Sequence, residues 1–337
     1  MQETIQVGSA KATPGQKGRG SLFVCDYPDA TSCSLPVMIV NGKYDGPVLW
    51  LNAALHGNEL NGVVGTMELF QKISAEELHG AVICTPICNP LAFFHKQRLS
   101  WNDGLNLGES YPGNEHGQIT ERLAFVHLNA IKQYADYFLD FHASGVTHRA
   151  HPYSVYKLCG YPEVEAKVEE ILRAFGIFIN CGVNTLGNTD EPVKLAGSLD
   201  IELIKSGIPA FMLEIGNATQ LEREMVRTVV DGTLNVMRYF NMLNGSPIFK
   251  EQVFVQARGI IRCSKGGISV PQVVPYQKLQ KGDIITNILN PWGEIIEQVR
   301  ASEELYVLSV KEDAVVQPGE RVVFVAYSKG SRTIPAK

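Results

Sequence analysis

The chain has 337 residues, a formal net charge of −5, and 45% hydrophobic against 19% charged residues. At about 150 residues per domain this predicts two domains with a sizeable core, while the apolar content and low net charge exclude bulk disorder and the aperiodic Gly and Pro exclude a collagen-like chain or coiled coil. A pI near 5.9 argues against a nucleic-acid binder, no apolar run approaches the roughly 18 residues of a membrane span, the N-terminus does not read as a signal peptide, and seven scattered cysteines suit a reducing cytoplasm.

The apolar pattern predicts an alternation of strands and helices over the first 245 residues. VLWLNAA (48–54) reads as a buried strand, and Val63, Val64, Met67, Phe70 and Ile73 then recur at helical spacing. AVICTPICN (81–89) is a second buried strand. Ile119, Leu123, Val126, Ala130, Ile131 and Tyr134 mark a long helix, followed by the strand YFLDFH (137–142). Pro162 opens a helix that Gly176 closes. IFIN (177–180) and PAFMLEI (209–215) are strands, and Leu221 to Leu243 is another long helix. This order implies an α/β fold: a mixed, largely parallel sheet flanked by helices. After Pro247 only short strand-like runs remain, punctuated by Gly and Pro. The expected organisation is therefore a catalytic domain over 1–247 and a small all-β domain over 248–337.

Chemistry concentrates at the ends of the predicted strands. In LHGNELNG (55–62), His56 and Glu59 stand three apart between a strand and a helix. On a first helical turn they share one face, where an imidazole nitrogen and a carboxylate oxygen can hold one Zn²⁺. The same residues would also suit a helix N-cap region with a solvated Glu. DFHAS (140–144) supplies a third ligand candidate, His142, at the carboxyl end of a strand. Asp140 lies on the same side and either orients that ligand or caps a neighbouring loop. Glu214, a charge in the apolar run FMLEIGN, is costly to bury unless it faces a polar cleft. It is the candidate general base, with a buried salt bridge as the alternative. Arg98, in the loop after 81–89, is the candidate cation for a developing oxyanion. THRAHPY (147–153) holds His148 and His151 in what reads as a loop.

The order His56, Glu59, Arg98, His142, Glu214, together with GPVLWLNAALHGNELNG, CNP (88–90), DGLNLGESYPG (103–113), LDFHAS and MLEIGN, resembles the succinylglutamate desuccinylase/aspartoacylase family within the zinc carboxypeptidase-like superfamily. The resemblance implies one zinc per chain held by His56, Glu59 and His142, with Glu214 as general base and Arg98 polarising the carbonyl. It implies hydrolysis of an N-acyl bond on a small amine or amino acid. The chain departs from the family at one point. Where many members carry an Asn-Arg pair that grips a substrate carboxylate, this sequence has Gly108-Glu109 beside Asn106. A carboxylate repels a carboxylate, so Asn106 and Glu109 are expected to face a free amino group. Arg149, Lys194 or Lys96 would then supply any carboxylate grip.

The expected protein is a cytoplasmic, zinc-dependent amidohydrolase. Its partner is a small N-acylated substrate rather than nucleic acid or membrane, and a homo-oligomer is compatible with these features. A metallocarboxypeptidase and a non-catalytic metal- or ligand-binding relative are the competing readings. The missing Asn-Arg pair counts against the first, and Glu214 with Arg98 counts against the second.

Overall fold

A computed structural model describes residues 3–186 and 197–336 of the chain. Its centre is a ten-stranded sheet. In spatial order the strands are Arg332–Ile334, Gln252–Val255, Ile179–Asn184, Tyr153–Leu158, Ala210–Asn217, Tyr137–Ser144, Tyr44–Ala53, His79–Thr85, Ser32–Asn41 and Gln16–Asp26. The middle of the sheet is parallel: Ala210–Asn217 beside Tyr137–Ser144, that strand beside Tyr44–Ala53, and Tyr44–Ala53 beside His79–Thr85. Tyr153–Leu158 runs antiparallel to Ala210–Asn217, and both edges are antiparallel. The expected α/β class is what the chain adopts.

The strands are buried on both faces, so their sequences read as continuous apolar runs. Period-two alternation still sorts the side chains. One face carries Leu49, Leu51, Ala53, Leu139, Phe141, Phe211, Leu213 and Ile215. Helices Asn61–Lys72, Pro162–Phe175 and Arg223–Tyr239 cover it with Leu69, Phe70, Ile171, Leu172, Val229 and Met237. The other face carries Trp50, Phe138 and Ala210, under helix Ile119–Tyr134. On that second face, toward the carboxyl ends of the strands, polar residues replace apolar ones. Asn52, Asp140 and Met212 are Cα partners in one row, and His142 and Glu214 are partners in the next. The cleft opens there, at the carboxyl ends of parallel strands, where open α/β sheets take their ligands.

Several elements differ from the sequence expectation. The apolar run 81–89 leaves the sheet at Thr85, because Pro86 lacks a ladder N–H and Asn89 caps the short helix Pro90–Phe93 through its side chain. The helix expected over 221–243 is Arg223–Tyr239. Nothing before residue 48 was expected in particular, yet Gln16–Asp26 and Ser32–Asn41 form a long antiparallel hairpin at the sheet edge. The segment read as a loop around Pro152 contains the strand His148–Ala150, which pairs with Leu305–Lys311. After residue 247 the chain first returns to the large sheet through Gln252–Val255. It then builds two smaller antiparallel sheets and comes back to the large one with Arg332–Ile334.

One glycine governs how the site is carried. A Cβ on Gly57 would lie 2.1 Å from the Ala92 carbonyl carbon, a backbone contact that no rotamer change relieves. The turn 54–60 is thereby packed directly on the Pro90–Phe93 helix. Gly57→Ala is expected to lower stability by about 1–3 kcal/mol through overpacking. The melting temperature should fall by several degrees in a thermal scan, and an unchanged transition would show that this contact is not constrained.

Candidate active site

His56 and Glu59 do not sit on a helix. They flank a tight turn between Tyr44–Ala53 and Asn61–Lys72, in which the Glu59 N–H donates to the His56 carbonyl at 3.1 Å. The turn returns both side chains to the same point by a route other than helical spacing. His56 Nδ1 lies 2.7 Å from Glu59 Oε1. His142, at the end of the neighbouring strand, brings its Nδ1 to 3.1 Å from Glu59 Oε2. All three side chains are buried, and their ligand atoms lie within 4.8 Å of one another.

The far side of His142 is fixed by a chain of hydrogen bonds across three strands. His142 Nε2 donates to Asp140 Oδ2 at 3.1 Å. Asn52 Nδ2 donates to Asp140 Oδ1 at 2.8 Å, Thr85 Oγ1 donates to Asn52 Oδ1 at 2.7 Å, and Trp50 Nε1 donates to Thr85 Oγ1 at 3.0 Å. Each donor finds an acceptor, and the bonds converge on Asp140, Oδ1 taking the Trp50–Thr85–Asn52 relay and Oδ2 taking His142. With Nε2–H committed to Asp140, the Nδ1 lone pair faces the Glu59 carboxylate. Two acceptors cannot meet at that distance without a cation between them. A proton on His142 can serve, and its pKa is raised well above normal because Asp140 and Glu59 outweigh the opposing effect of burial. A metal ion can serve as well. Burial disfavours an ionised Glu59, but the two imidazoles outweigh it and hold that carboxyl far below the usual range. His56 is pushed the other way, mainly by burial, toward the neutral form that ligates.

The remaining elements converge on this cluster. Glu214 is the Cα partner of His142 on the adjacent strand, and its Oε2 is buried without a hydrogen bond. Burial and the Glu59 charge raise its pKa, against the pull of His142, Arg258 and Arg98. Arg98 reaches in from its loop with Nη1 at 3.3 Å from His56 Nδ1 and 4.0 Å from Glu59 Oε1. Its side chain stays half exposed, as expected of a group at the mouth of a cleft.

The 103–113 loop closes one side. Leu107 and Tyr111 are buried, the Tyr111 hydroxyl meets His127 Nδ1 at 2.9 Å, and Tyr111 N–H donates to the Gly197 carbonyl at 3.1 Å. Anchored on both sides, Glu109 lines the cleft together with His56, Arg98, Asn106 and His142. Asn106 is occupied in holding it: its Nδ2 donates to Glu109 Oε1 at 2.8 Å, and its Oδ1 accepts from Gly108 N–H at 3.1 Å.

Arg149 is not brought to this place. It lies on the strand His148–Ala150, half exposed, 3.3 Å from Glu312, and lines a separate surface hollow. Lys96 lines another hollow, on the far side of the 54–60 turn, and Lys194 lies outside the described residues. His148 is engaged by Arg321 at 2.9 Å and His151 lies tilted against the Tyr276 ring, so each has its own partner. Three charged residues that the sequence reading passed over do line the cleft: Lys157, Asp200 and Arg258. Lys157 carried the same signal as Glu214, a charge inside the apolar run YSVYKL. Arg258 had none, because it comes from the segment beyond 247.

Residues 45–240, more than half of the chain, match the succinylglutamate desuccinylase/aspartoacylase catalytic domain. The N-alpha-acetyl-L-2,4-diaminobutyric acid deacetylase of Halomonas elongata is 31% identical over 142 residues, which are 42% of this chain and 41% of that protein. The match thus spans about two fifths of the relative's length. Among solved structures, the product-bound ectoine utilization protein EutE (DoeB) of Ruegeria pomeroyi superposes with a TM-score of 0.80 at 22% identity, covering 97% of this chain and 99% of that one. The succinylglutamate desuccinylase/aspartoacylase of Rhodobacter sphaeroides gives a TM-score of 0.80 at 20% identity, over 92% and 94% of the two chains. These likenesses establish the shared fold. With the matched catalytic domain enclosing His56, Glu59, Arg98, His142 and Glu214, the chain belongs to the succinylglutamate desuccinylase/aspartoacylase family of deacylases.

Proposed function

We propose that the protein is a zinc-dependent deacylase that hydrolyses the amide of a small N-acylated amino compound carrying a free ammonium group. The observation that carries this reading is the buried Glu59 carboxylate facing two imidazole Nδ1 atoms, with an unpartnered Glu214 oxygen on the adjacent strand. Three such donors and an open side suit a catalytic rather than a closed structural zinc site. His56, Glu59 and His142 would hold one ion per chain, and Asp140 keeps His142 in the ligating tautomer. When bound, zinc supplies a Lewis acid that brings the pKa of a water near 7 and polarises an acyl carbonyl.

In this reading Glu214 takes a proton from the attacking water and returns it to the departing amine. Arg98 donates to the carbonyl oxygen as negative charge develops there. Water adds across the C–N bond, leaving a carboxylic acid and a free amine. Glu109, held by Asn106, faces the substrate and favours an ammonium over a carboxylate. An N-acyl diamine or diamino acid meets that requirement, and the deacetylase name of the Halomonas relative supports the diamino acid. Residues 1–247 would form the catalytic unit and 248–337 a small β-rich unit that contributes to the cleft, in a cytoplasmic enzyme. No helix among the described residues is long and apolar enough to cross a membrane.

Three outcomes test this reading. Elemental analysis should find about one zinc per chain. His142→Ala should lose most of it, and Asp140→Asn should weaken its affinity about 10–100-fold; full occupancy in His142→Ala would refute the ligand set. Glu214→Gln should keep the metal while kcat falls by roughly 10²–10⁴. Because the base must be ionised and its pKa is raised, kcat/KM of the native enzyme should fall as pH drops through that pKa, and this acid limb should vanish in Glu214→Gln. Finally, Glu109→Arg should lower kcat/KM for an N-acetyl diamine and spare or raise it for N-acetylaspartate. Equal effects on both substrates would remove Glu109 from substrate selection.

A further inference from the structure

Lys157 is a buried cation whose position the hydrolytic chemistry does not explain. Its side chain is 2% exposed, yet it lines the same cleft as His142 and Glu109. It stands on the strand Tyr153–Leu158, on the face that presents Tyr153 and Val155 as Cα partners of Glu214 and Met212. Its ammonium donates to Asp200 Oδ2 at 3.1 Å and approaches Met212 Sδ at 3.9 Å. An ammonium has three N–H groups, and a thioether sulfur is a weak acceptor. Asp200 is engaged on both oxygens, Oδ2 by Lys157 and Oδ1 by the Ser198 hydroxyl and Ile201 N–H. The pair therefore orients Lys157 and leaves donor capacity toward the cleft. Asp200 lines the cleft beside it.

Arg258 adds a second cation to the same lining. It begins the strand Arg258–Arg262, is buried, and holds its guanidinium 5.3 Å from the Phe324 ring centre. A cation–π contact of this kind restrains the group. The cleft thus has Glu109 with Asn106 from one loop, the Lys157–Asp200 pair, and Arg258 from a separate strand. Glu109 repels an anion, whereas the remaining Lys157 N–H groups and the Arg258 guanidinium attract one through charge-assisted hydrogen bonds.

We propose that Lys157 and Arg258 form an anion seat that holds the carboxylate of an N-acyl diamino acid whose free ammonium faces Glu109. The proposal rests on the deacylase reading above for the identity of the substrate, but the seat can be tested without turnover. Calorimetry on the full metal-loaded chain would use 2,4-diaminobutyrate and its decarboxylated counterpart, 1,3-diaminopropane. The native protein should bind the diamino acid at least about tenfold more tightly than the diamine. Arg258→Gln should erase that preference while diamine affinity stays within about twofold. The double variant Lys157→Met/Asp200→Asn, which leaves no orphaned buried charge, should do the same. If the double variant does not fold, Arg258→Gln alone decides. A native protein without the preference, or folded variants that keep it, would overturn the seat. Failure of the deacylase reading is distinct: the native enzyme would leave all N-acetyl substrates intact whatever the calorimetry gives.

Discussion

The buried hydrogen bond between Asp140 and His142 is the contact on which the site depends. It commits one imidazole nitrogen and turns the other toward Glu59. Asp140 can do this because Asn52, Thr85 and Trp50 hold it from neighbouring strands. A polar chain of this length inside a sheet is tolerated because every member is satisfied. The sheet register sets the alignment: Asn52 pairs with Asp140, and His142 with Glu214. A shift by one residue would turn each of these side chains to the opposite, apolar face.

The electrostatics follow from that frame. Glu59 is drawn strongly acidic by two imidazoles, His56 is pushed toward the neutral form by burial, and Glu214 is raised by burial next to Glu59. Two carboxylates, Glu59 and Glu214, and two imidazoles, His56 and His142, thus acquire different characters from their surroundings alone. Such separation of pKa values marks functional sites more often than structural ones. The rim divides in the same way: Glu109 comes from a loop anchored by Leu107 and Tyr111, while the cationic lining comes from a central strand and from the segment after 247.

Much of this was legible in the sequence. The α/β class followed from the alternation of apolar runs and amphipathic stretches. The cluster of His56, Glu59 and His142 followed from their places at strand ends, although the turn that joins the first two is not helical. Glu214 was visible because a charge inside an apolar run demands a polar neighbour. Lys157 sent the same signal and went unread. Arg149 was misleading because polar sequence around it resembled a loop near the cleft, whereas its strand pairs with Leu305–Lys311 and carries it to Glu312.

The sequence by itself therefore determined most helices and strands between residues 48 and 247, the candidate ligand types and the negative charge at Glu109, because periodicity and side-chain chemistry are local properties. Only the tertiary structure decided which charges share the cleft. The strand order brings Tyr153–Leu158 beside Ala210–Asn217 in antiparallel register, and Arg258 arrives from a segment far along the chain. Contacts between residues so distant in sequence depend on sheet order and packing, which no local pattern encodes.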